Sequence, residues 1–275
     1  MNTLTGHMLV QNVIRYDYPF IEAFKSIEPA CDKFIFCDGF SDDGTYEVLL
    51  DLQKEFPDKV EIFRDEWKTP DWNVFAEVIN KCIERCKTEW HIQISADEVY
   101  HENNIGAFKD AINNPNYDWY SIPQIHFWSN CFDQYIIPGK YFGGIKNIKM
   151  ARVNTYPGFC SRKDGYTLGI KEGFYMPHLR GHHLGKKIQI YHYSYTRRPA
   201  MHKKKCQHLL KTWFGFDDRR FSGDKPVVYE EMIPFAGNCL YFGAAHPRII
   251  KDWINRHIRE DKKVNDNMTI GNKDV

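Results

Sequence analysis

Residues 90–99 have the sequence WHIQISADEV, and the interpretation of the whole chain starts from this stretch. Apolar and polar residues alternate up to Ile94, which predicts a β-strand. The strand ends in two carboxylates, Asp97 and Glu98, with Ser95 just before them. Ligands of open α/β sheets bind beyond the carboxyl ends of the strands. Carboxylates at such a position can hold a hard divalent cation that also binds a diphosphate, although Asp97 could instead cap a helix.

A second predicted strand also ends in a carboxylate. Residues 33–38, KFIFCD, end at Asp38, and residues 39–45, GFSDDGT, have the composition of a turn. A carboxylate at this position can accept a hydrogen bond from a base N–H or a ribose hydroxyl, or it can begin an Asx turn. Because ligand sites of such sheets lie at the carboxyl ends of the strands, we expect both strand ends to face one crevice.

The segments around these strands alternate between strand and helix patterns. Apolar residues recur at helical intervals in residues 18–30, 45–56 and 73–87. Short apolar runs that predict strands lie at residues 7–13 and 59–67. Strands joined by helices of this length predict an α/β fold with a mostly parallel sheet and helices on both faces.

The pattern changes in the second half of the chain, where strands and loops are mixed. The last clear strand is residues 188–195, IQIYHYSY, and two helical patterns follow it. We therefore expect one domain over residues 1–197, made of the halves 1–110 and 111–197. A helical C-terminal extension over residues 198–275 completes the chain.

Charge is distributed unevenly between the two halves of the chain. Residues 1–110 contain 11 Lys and Arg against 22 Asp and Glu, and residues 111–275 contain 26 against 14, although the whole chain has a net charge of only +1. An acidic half beside a basic half indicates a site that binds a cation on one side and an anion on the other. The alternative is uneven surface charge without a functional role.

Composition limits the class of protein. A chain of 275 residues that is 43% hydrophobic can bury a sizeable core. No stretch approaches the roughly 18 apolar residues of a membrane span, so we expect no membrane partner. The eight cysteines are scattered without a C-x-x-C pair, which favours free thiols in a reducing compartment. We therefore expect a cytoplasmic protein, in the host cytoplasm if its source is a virus.

Three blocks of the N-terminal half, each at a strand end, resemble a known family. They are LVQN with Asn12, FCDGFSDDGT with Asp38 and Asp43, and QISADE with Ala96 and Asp97. In this order they resemble the GT-A glycosyltransferases, in particular those similar to glycosyltransferase family 2. The resemblance implies a GT-A fold, the Rossmann-like fold of nucleotide-diphospho-sugar transferases, with the catalytic domain in residues 1–197. It also implies that these five residues bind the donor.

Later segments are similar to the family in fragments. The stretch GIKEG is similar to the segment in which a subset of these enzymes places its base, which implies Glu172 as general base and Asp164 as the reserve. In that subset a histidine after a late strand faces the metal, which implies His192 with Asp97 as ligands of Mn²⁺ or Mg²⁺. Ser95 stands where the family has the first Asp of its D-x-D motif. The cation would therefore depend on Asp97, His192, water and the diphosphate.

Further contacts are expected on both substrates. Arg197 and Arg198 directly follow the strand that carries His192, and they could place positive charge on the donor diphosphate. Glu98 and Trp128 are the predicted acceptor contacts, Trp128 as a stacking platform for a sugar or a base. The alternative for Trp128 is a place in the core, where most tryptophans lie.

The resemblance implies a metal-dependent glycosyltransferase, a hexosyl- or pentosyltransferase. It would move a sugar from a nucleotide sugar, with a UDP-sugar as the expected donor, to an acceptor hydroxyl. The acceptor could be a glycan or a hydroxymethylated base in DNA, because the basic half could hold a phosphate backbone. The alternative is a catalytically inactive nucleotide- or nucleic-acid-binding module of the same fold, whose catalysis was lost when Ser95 replaced the aspartate.

Overall fold

The computed structural model describes residues 1–68, 73–128, 134–136, 148–153, 159–161, 168–170, 180–185, 187–196, 199–215 and 239–257. The strands in these ranges are β1 (Leu4–Val10), β2 (Lys33–Asp38), β3 (Val60–Arg64), β4 (Trp90–Gln93), β5 (Glu98–Tyr100), β6 (Trp119–Ser121), β7 (Gln124–Trp128), β8 (Gln134–Ile136), β9 (Ile148–Arg152), β10 (Phe159–Ser161), β11 (Leu168–Ile170), β12 (Gly181–His183), β13 (Ile190–Tyr195) and β14 (Cys239–Tyr241). The helices are α1 (Phe20–Ile27), α2 (Thr45–Glu55), α3 (Asn73–Arg85), α4 (Ile105–Ile112), α5 (Pro199–Phe214) and α6 (residues 251–257).

The central sheet has seven strands in the order β12-β6-β9-β4-β1-β2-β3. β1 pairs in parallel with β2 on one side and with β4 on the other, and β3 pairs in parallel with β2. β9 is antiparallel to both β4 and β6, which extends the sheet on the other side. The carboxyl ends of β4, β1 and β2 therefore lie next to one another, as the sequence predicts.

Helices cover both faces of this sheet because the strand side chains alternate. On β2, Phe34 and Phe36 belong to the core cluster that includes Phe24 of α1, together with residues of α2 and α4. Ile35 and Cys37 point the other way, into a second cluster that contains Val78 and other residues of α3. The predicted α/β architecture, with a mostly parallel sheet and helices on both faces, is confirmed. Within the described ranges, no helix combines the length and the apolar composition that a membrane crossing requires.

A second sheet of five strands, in the order β14-β8-β7-β13-β5, lies beside the central one. β13 lies between β7 and β5, parallel to β7 and antiparallel to β5. β14 comes from the far C-terminal part of the chain and pairs with β8. Trp253 and Ile254 of α6 share the main core cluster with Phe24 of α1. The expected boundary at residue 197 therefore separates segments that contribute to the same core and the same sheet.

A buried ion pair connects the two sheets. Glu98 at the start of β5 and Lys149 on β9 are both almost completely buried, and the Lys149 Nζ lies 2.8 Å from one carboxylate oxygen of Glu98 and 3.0 Å from the other. The same carboxylate accepts hydrogen bonds from the Ser95 backbone N–H at 2.8 Å and from the side-chain amide of Gln124. The carboxylate therefore joins β5, β7, β9 and the end of β4.

Two histidines form a second buried polar pair within the central sheet. The His7 Nε2 on β1 lies 3.1 Å from the His91 Nδ1 on β4, and the rings stack. Burial lowers the pKa of His91 to about 3. Burial also lowers the pKa of His7, with further contributions from His91 and Lys149. Both rings are therefore neutral near neutral pH.

Five cysteines whose side chains the structure describes are free thiols. Cys31, Cys37, Cys82 and Cys86 are buried, and Cys206 on α5 is half-buried. Burial raises the pKa of Cys86 to about 12, so this thiol stays protonated. These four buried side chains act as small apolar groups of the core.

Replacing Glu98 by Gln is expected to lower the free energy of unfolding by about 3–5 kcal/mol, because the Lys149 ammonium would remain buried without its counter-charge. Urea denaturation measures this loss. The double change Glu98→Gln with Lys149→Met should recover most of it, since it removes the unpaired charge. Asp51→Asn breaks the exposed Lys54–Asp51 pair and should change the stability by less than about 1 kcal/mol. Equal losses of unfolding free energy in the single and double variants would contradict the role of Glu98 as the counter-charge of Lys149.

Acid is expected to destabilise the fold through the histidine pair. The folded state lowers the pKa of His91 from 6.5 to about 3, so the unfolded chain binds more protons between these values. The free energy of unfolding should therefore fall as the pH decreases through this window, by up to about 1.4 kcal/mol per pH unit for each proton. His91→Gln should reduce this slope in urea titrations, whereas the neighbouring Thr5→Val should lower stability without changing the slope. An unchanged slope in His91→Gln would overturn this expectation.

Candidate active site

The candidate site lies at the carboxyl ends of β4, β1 and β2. Residues 11–18 follow β1, residues 39–44 follow β2, and Ser95 to Asp97 follow β4. Because these strands are neighbours in the sheet, the three segments share one edge. The structure thus brings together the three blocks that carry the predicted donor-binding residues.

The buried carboxylate of Asp38 is fixed at the end of β2. Its oxygens accept hydrogen bonds from the Ser41 backbone N–H at 3.2 Å and from the Arg64 Nε at 2.8 Å. The Arg64 guanidinium lies over the rings of Phe40, at 4.4 Å, and Tyr46, at 4.1 Å. Phe40 is half exposed and has a positive φ of 54°. An exposed aromatic ring therefore stands beside an ordered carboxylate at this strand end.

Asn12 and Asp43 connect the segment after β1 to the turn after β2. The Asn12 backbone N–H donates to the Ser41 Oγ at 2.9 Å, and its side-chain oxygen accepts from the Asp42 N–H at 2.9 Å. Asp43 accepts from the Arg15 N–H at 2.7 Å and from both the N–H and the hydroxyl of Thr45. Asn12 and Asp43, both predicted to bind the donor, therefore fix the segment after β1 against the turn after β2.

Asp97, at the end of β4, is surrounded by groups from the second half of the chain. One carboxylate oxygen lies 3.3 Å from the His192 Nε2 on β13, and the other lies 3.5 Å from the Lys205 Nζ on α5. The Asp97 backbone carbonyl also accepts from the Tyr193 N–H at 2.9 Å. Ala96, its predicted neighbour in donor binding, packs in the main core cluster. The predicted proximity of Asp97 and His192 is therefore observed.

A row of polar side chains lies on one face of the second sheet. His192 on β13 is in register with His126 on β7 and with Glu98 on β5. The Nδ1 atoms of the two histidines are 2.8 Å apart, so one ring donates to the other. Burial lowers the pKa of His126 to about 3, which keeps that ring neutral. Phe127 and Tyr193 alternate with this row and stack on the opposite face.

Lys205 is a buried lysine on α5 that faces this site. Its Nζ donates to the Ser194 Oγ at 2.7 Å and lies 4.9 Å from the centre of the Tyr18 ring. On the same helix, His208 stacks on Tyr16 at 4.8 Å. The helix is therefore placed against the segment that follows β1, and it covers that side of the site.

Two of these residues were missed by sequence reasoning although each had a signal. His126 shares the face of β7 with Gln124, which follows from the two-residue period of a strand. Lys205 is the third residue of a KKK run, three positions after the buried His202, which places both on one side of α5. From sequence alone, the KKK run indicates a solvent-exposed basic face. The packing of α5 is needed to identify Lys205 as its buried member.

Several residues predicted to belong to the site fall outside the part of the chain that the structure describes. Asp164, Glu172, Arg197 and Arg198 lie outside the described residues. Trp128 is the last residue of β7, but its side chain also lies outside the described part.

Glu98 was predicted to contact the acceptor, and the structure places it beneath the site. Its side chain is about 1% exposed, and Lys149, Gln124 and the Ser95 N–H surround its two oxygens. Glu98 pairs directly with His192 across β5 and β13, so both side chains lie on one face of the second sheet, and there Lys149 of β9 covers the Glu98 carboxylate. Its contacts are those of a residue that positions the segment carrying Asp97.

The residues around Asp97 do not fit a Mn²⁺ or Mg²⁺ site built by the protein. These ions prefer oxygen ligands, and Mg²⁺ is commonly held by one or two carboxylates plus phosphates. Here Ser95 supplies no carboxylate, and the two oxygens of Asp97 face an imidazole and an ammonium. Within the described residues, no three His, Cys, Asp or Glu side chains are grouped to hold a metal ion.

The sequence is similar to known glycosyltransferases. Residues 19–184 match the family model described as Glycosyl transferase family 2. The SPbeta prophage-derived glycosyltransferase SunS of Bacillus subtilis (strain 168) and the glycosyltransferase SunS of Bacillus phage SPbeta are each 33% identical to it over 85 residues, or 31% of this chain. The chain covers 18% of the length of each of these relatives.

Solved structures that are similar to the chain include TarS and a mannosyltransferase. TarS 1-349 of S. aureus is 11% identical with a TM-score of 0.48, over 76% of this chain and 66% of that chain. The mannosyltransferase PcManGT from Pyrobaculum calidifontis, in complex with GDP-Man and Mn²⁺, is 14% identical with a TM-score of 0.37, over 45% and 36% of the two chains.

The family match runs from α1 to β12 and includes the ends of β2 and β4, where Asp38 and Asp97 lie. Since it covers more than half of the sequence, the chain belongs to glycosyl transferase family 2.

Proposed function

We propose that this protein is a glycosyltransferase that moves a sugar from a nucleoside diphosphate sugar to an acceptor hydroxyl. The observation that carries the proposal is the position of Asp97. It ends β4 beside the ends of β1 and β2, and it meets His192 and Lys205 from the second half of the chain. A donor bound at this edge would have its nucleoside near β2 and its diphosphate near Asp97.

Asp38 is the proposed contact for the nucleoside. Its carboxylate is fully buried and is held by Ser41 and Arg64, so a base could reach it only if the Arg64 side chain or the turn at residues 39–44 moved aside. Uracil offers an imide N–H to such an acceptor, which supports a UDP-sugar as donor. The half-exposed ring of Phe40 next to it can stack on a base.

The reaction would proceed by attack of the acceptor oxygen on the anomeric carbon of the sugar. The bond from that carbon to the phosphate oxygen breaks, and its electron pair leaves with the nucleoside diphosphate. The proton of the acceptor hydroxyl passes to a general base. Glu172 stays our proposal for this base, with Asp164 in reserve, since their segment belongs to the same family match.

Negative charge develops on the leaving diphosphate, and a nearby positive group lowers the barrier. The Mn²⁺ or Mg²⁺ expected from the sequence would meet Asp97 and His192, but the Lys205 ammonium beside Asp97 opposes it, so no step of this proposal depends on a cation. Arg197 and Arg198, which follow β13, are proposed as further positive groups.

A second candidate is a binding module of the same fold without catalysis. The observation in its favour is the serine at position 95, together with the engagement of Asp97 by protein groups. It predicts nucleotide binding without turnover.

Asp97→Asn is expected to lower transferase activity by about 100-fold or more, because the charge that holds Lys205 and His192 is lost. The measurement is the release of nucleoside diphosphate from a panel of nucleotide sugars, with Mn²⁺, with Mg²⁺ and with a chelator. Asp110→Asn, an exposed carboxylate on α4, is the matched control and should keep full activity. Binding of a nucleotide with no release from any donor would instead establish the binding module.

Salt dependence is expected to identify the acceptor class. If the acceptor is a hydroxymethylated base in DNA, contacts to several phosphates should make acceptor binding fall by orders of magnitude between about 50 mM and about 200 mM salt. A glycan acceptor should show little dependence. We expect the glycan result, since the lysines that pair with Glu98 and Asp97, Lys149 and Lys205, are buried. The KM for each acceptor at both salt concentrations decides the question.

A further inference from the structure

The burial of Lys205 is unusual for its residue type. Lysine is almost never fully buried unless it is paired, and Lys205 is only 6% exposed. Its neighbour Lys204 on the same helix is exposed, so the KKK run places one ammonium inside the protein and another in solvent. A buried ammonium costs free energy through desolvation. The ion pair with Asp97 and the hydrogen bond to Ser194 offset part of this cost.

The surroundings of Lys205 fix where this charge lies. Its Nζ donates to the Ser194 Oγ at 2.7 Å, lies 3.5 Å from the Asp97 carboxylate and stands over the Tyr18 ring. These three groups belong to β13, to the end of β4 and to the segment after β1. The ammonium therefore lies at the edge of the sheet where the donor diphosphate is proposed to bind.

The charges around Asp97 indicate which partner this edge accepts. The serine at position 95 leaves Asp97 as the carboxylate of this strand end that faces the site, since Glu98 is paired with Lys149. The Lys205 ammonium compensates the charge of Asp97. A divalent cation would approach a carboxylate that already has a positive neighbour, and Coulomb repulsion opposes that approach. A diphosphate is attracted by the ammonium, and the Asp97 carboxylate beside it opposes part of that attraction.

We infer that the Lys205 ammonium is the positive charge that binds the donor diphosphate and stabilises the leaving nucleoside diphosphate, in the place that a divalent cation takes in metal-dependent transferases. When the anomeric bond breaks, its electron pair moves to the bridging phosphate oxygen. The ammonium then faces that oxyanion and keeps its own proton. Asp97 and Ser194 position the lysine.

The helix that carries Lys205 is anchored well enough for this role. His208 stacks on Tyr16 one turn further along, and Leu209 packs against the cluster of Ile35 and Val78. Lys205 is therefore held on a regular element that contacts the central sheet, and a positioned charge needs little reorganisation during the reaction.

The inference depends on the proposed function, and one binding experiment separates the two. Isothermal titration calorimetry is performed in EDTA with the tightest-binding of UDP, GDP, ADP and dTDP, and with the corresponding nucleoside. The wild-type protein should bind the diphosphate at least about tenfold more tightly than the nucleoside without any metal. If no nucleotide or nucleoside binds under any condition, the proposed function itself fails.

Variants within the KKK run at residues 203–205 test the role of Lys205 in diphosphate binding. Lys205→Met should weaken diphosphate binding by about 10- to 100-fold and leave nucleoside binding unchanged. Lys205→Arg keeps the charge and should retain part of the affinity, and Lys204→Met is the matched control that should bind like the wild type. A merely structural lysine would affect nucleoside and diphosphate equally. Circular dichroism establishes that each variant is folded.

The metal dependence of the wild type provides a test without any variant. Nucleoside diphosphate release should continue in EDTA and change less than about twofold on addition of Mn²⁺ or Mg²⁺, whereas the loss of one well-placed charge donor typically costs far more. If diphosphate binding and turnover vanish in EDTA and return with Mn²⁺, the assignment to Lys205 is overturned while the transferase remains.

Discussion

The ion pair between Glu98 and Lys149 is the constraint on which the candidate site depends. It joins β5 of the second sheet to β9 of the central sheet, and both partners are buried. Glu98 follows Asp97 directly, so the pair fixes the backbone that carries the central carboxylate of the site. Buried pairs often contribute little net stability, because desolvation offsets the attraction. Here the ion pair fixes how the two sheets are placed against each other, since both charges must be paired where the sheets meet.

The ion pairs of the site connect the acidic half of the sequence to the basic half. The acidic half provides Asp97 and Glu98, and the basic half provides Lys149, His192 and Lys205. The two ion pairs Glu98–Lys149 and Asp97–Lys205 both cross between the halves. The binding of a cation and an anion at one site, expected from this charge distribution, stays a prediction. The cations that the structure shows at this place are protein side chains.

The strand ends could be predicted from the sequence, and the partners of their carboxylates could not. Alternation on β2 and the helical spacing between strands are local signals, and they placed Asp38 and Asp97 at one edge. Glu98 was predicted to contact the acceptor, yet Lys149, Gln124 and the Ser95 N–H surround its carboxylate. Lys205 meets Asp97 across 108 positions of sequence. Such contacts depend on the packing of α5, which no local pattern specifies.

The serine at position 95 and the lysine at position 205 make sense together. A second carboxylate beside Asp97 would raise the negative charge of a buried site, and like charges in such a place demand a cation or a proton. With Ser95 and Lys205 the charges balance within the protein, so this edge of the sheet is stable before any ligand arrives. The loss of the first aspartate of the family motif is therefore consistent with a retained site whose positive charge comes from the chain itself.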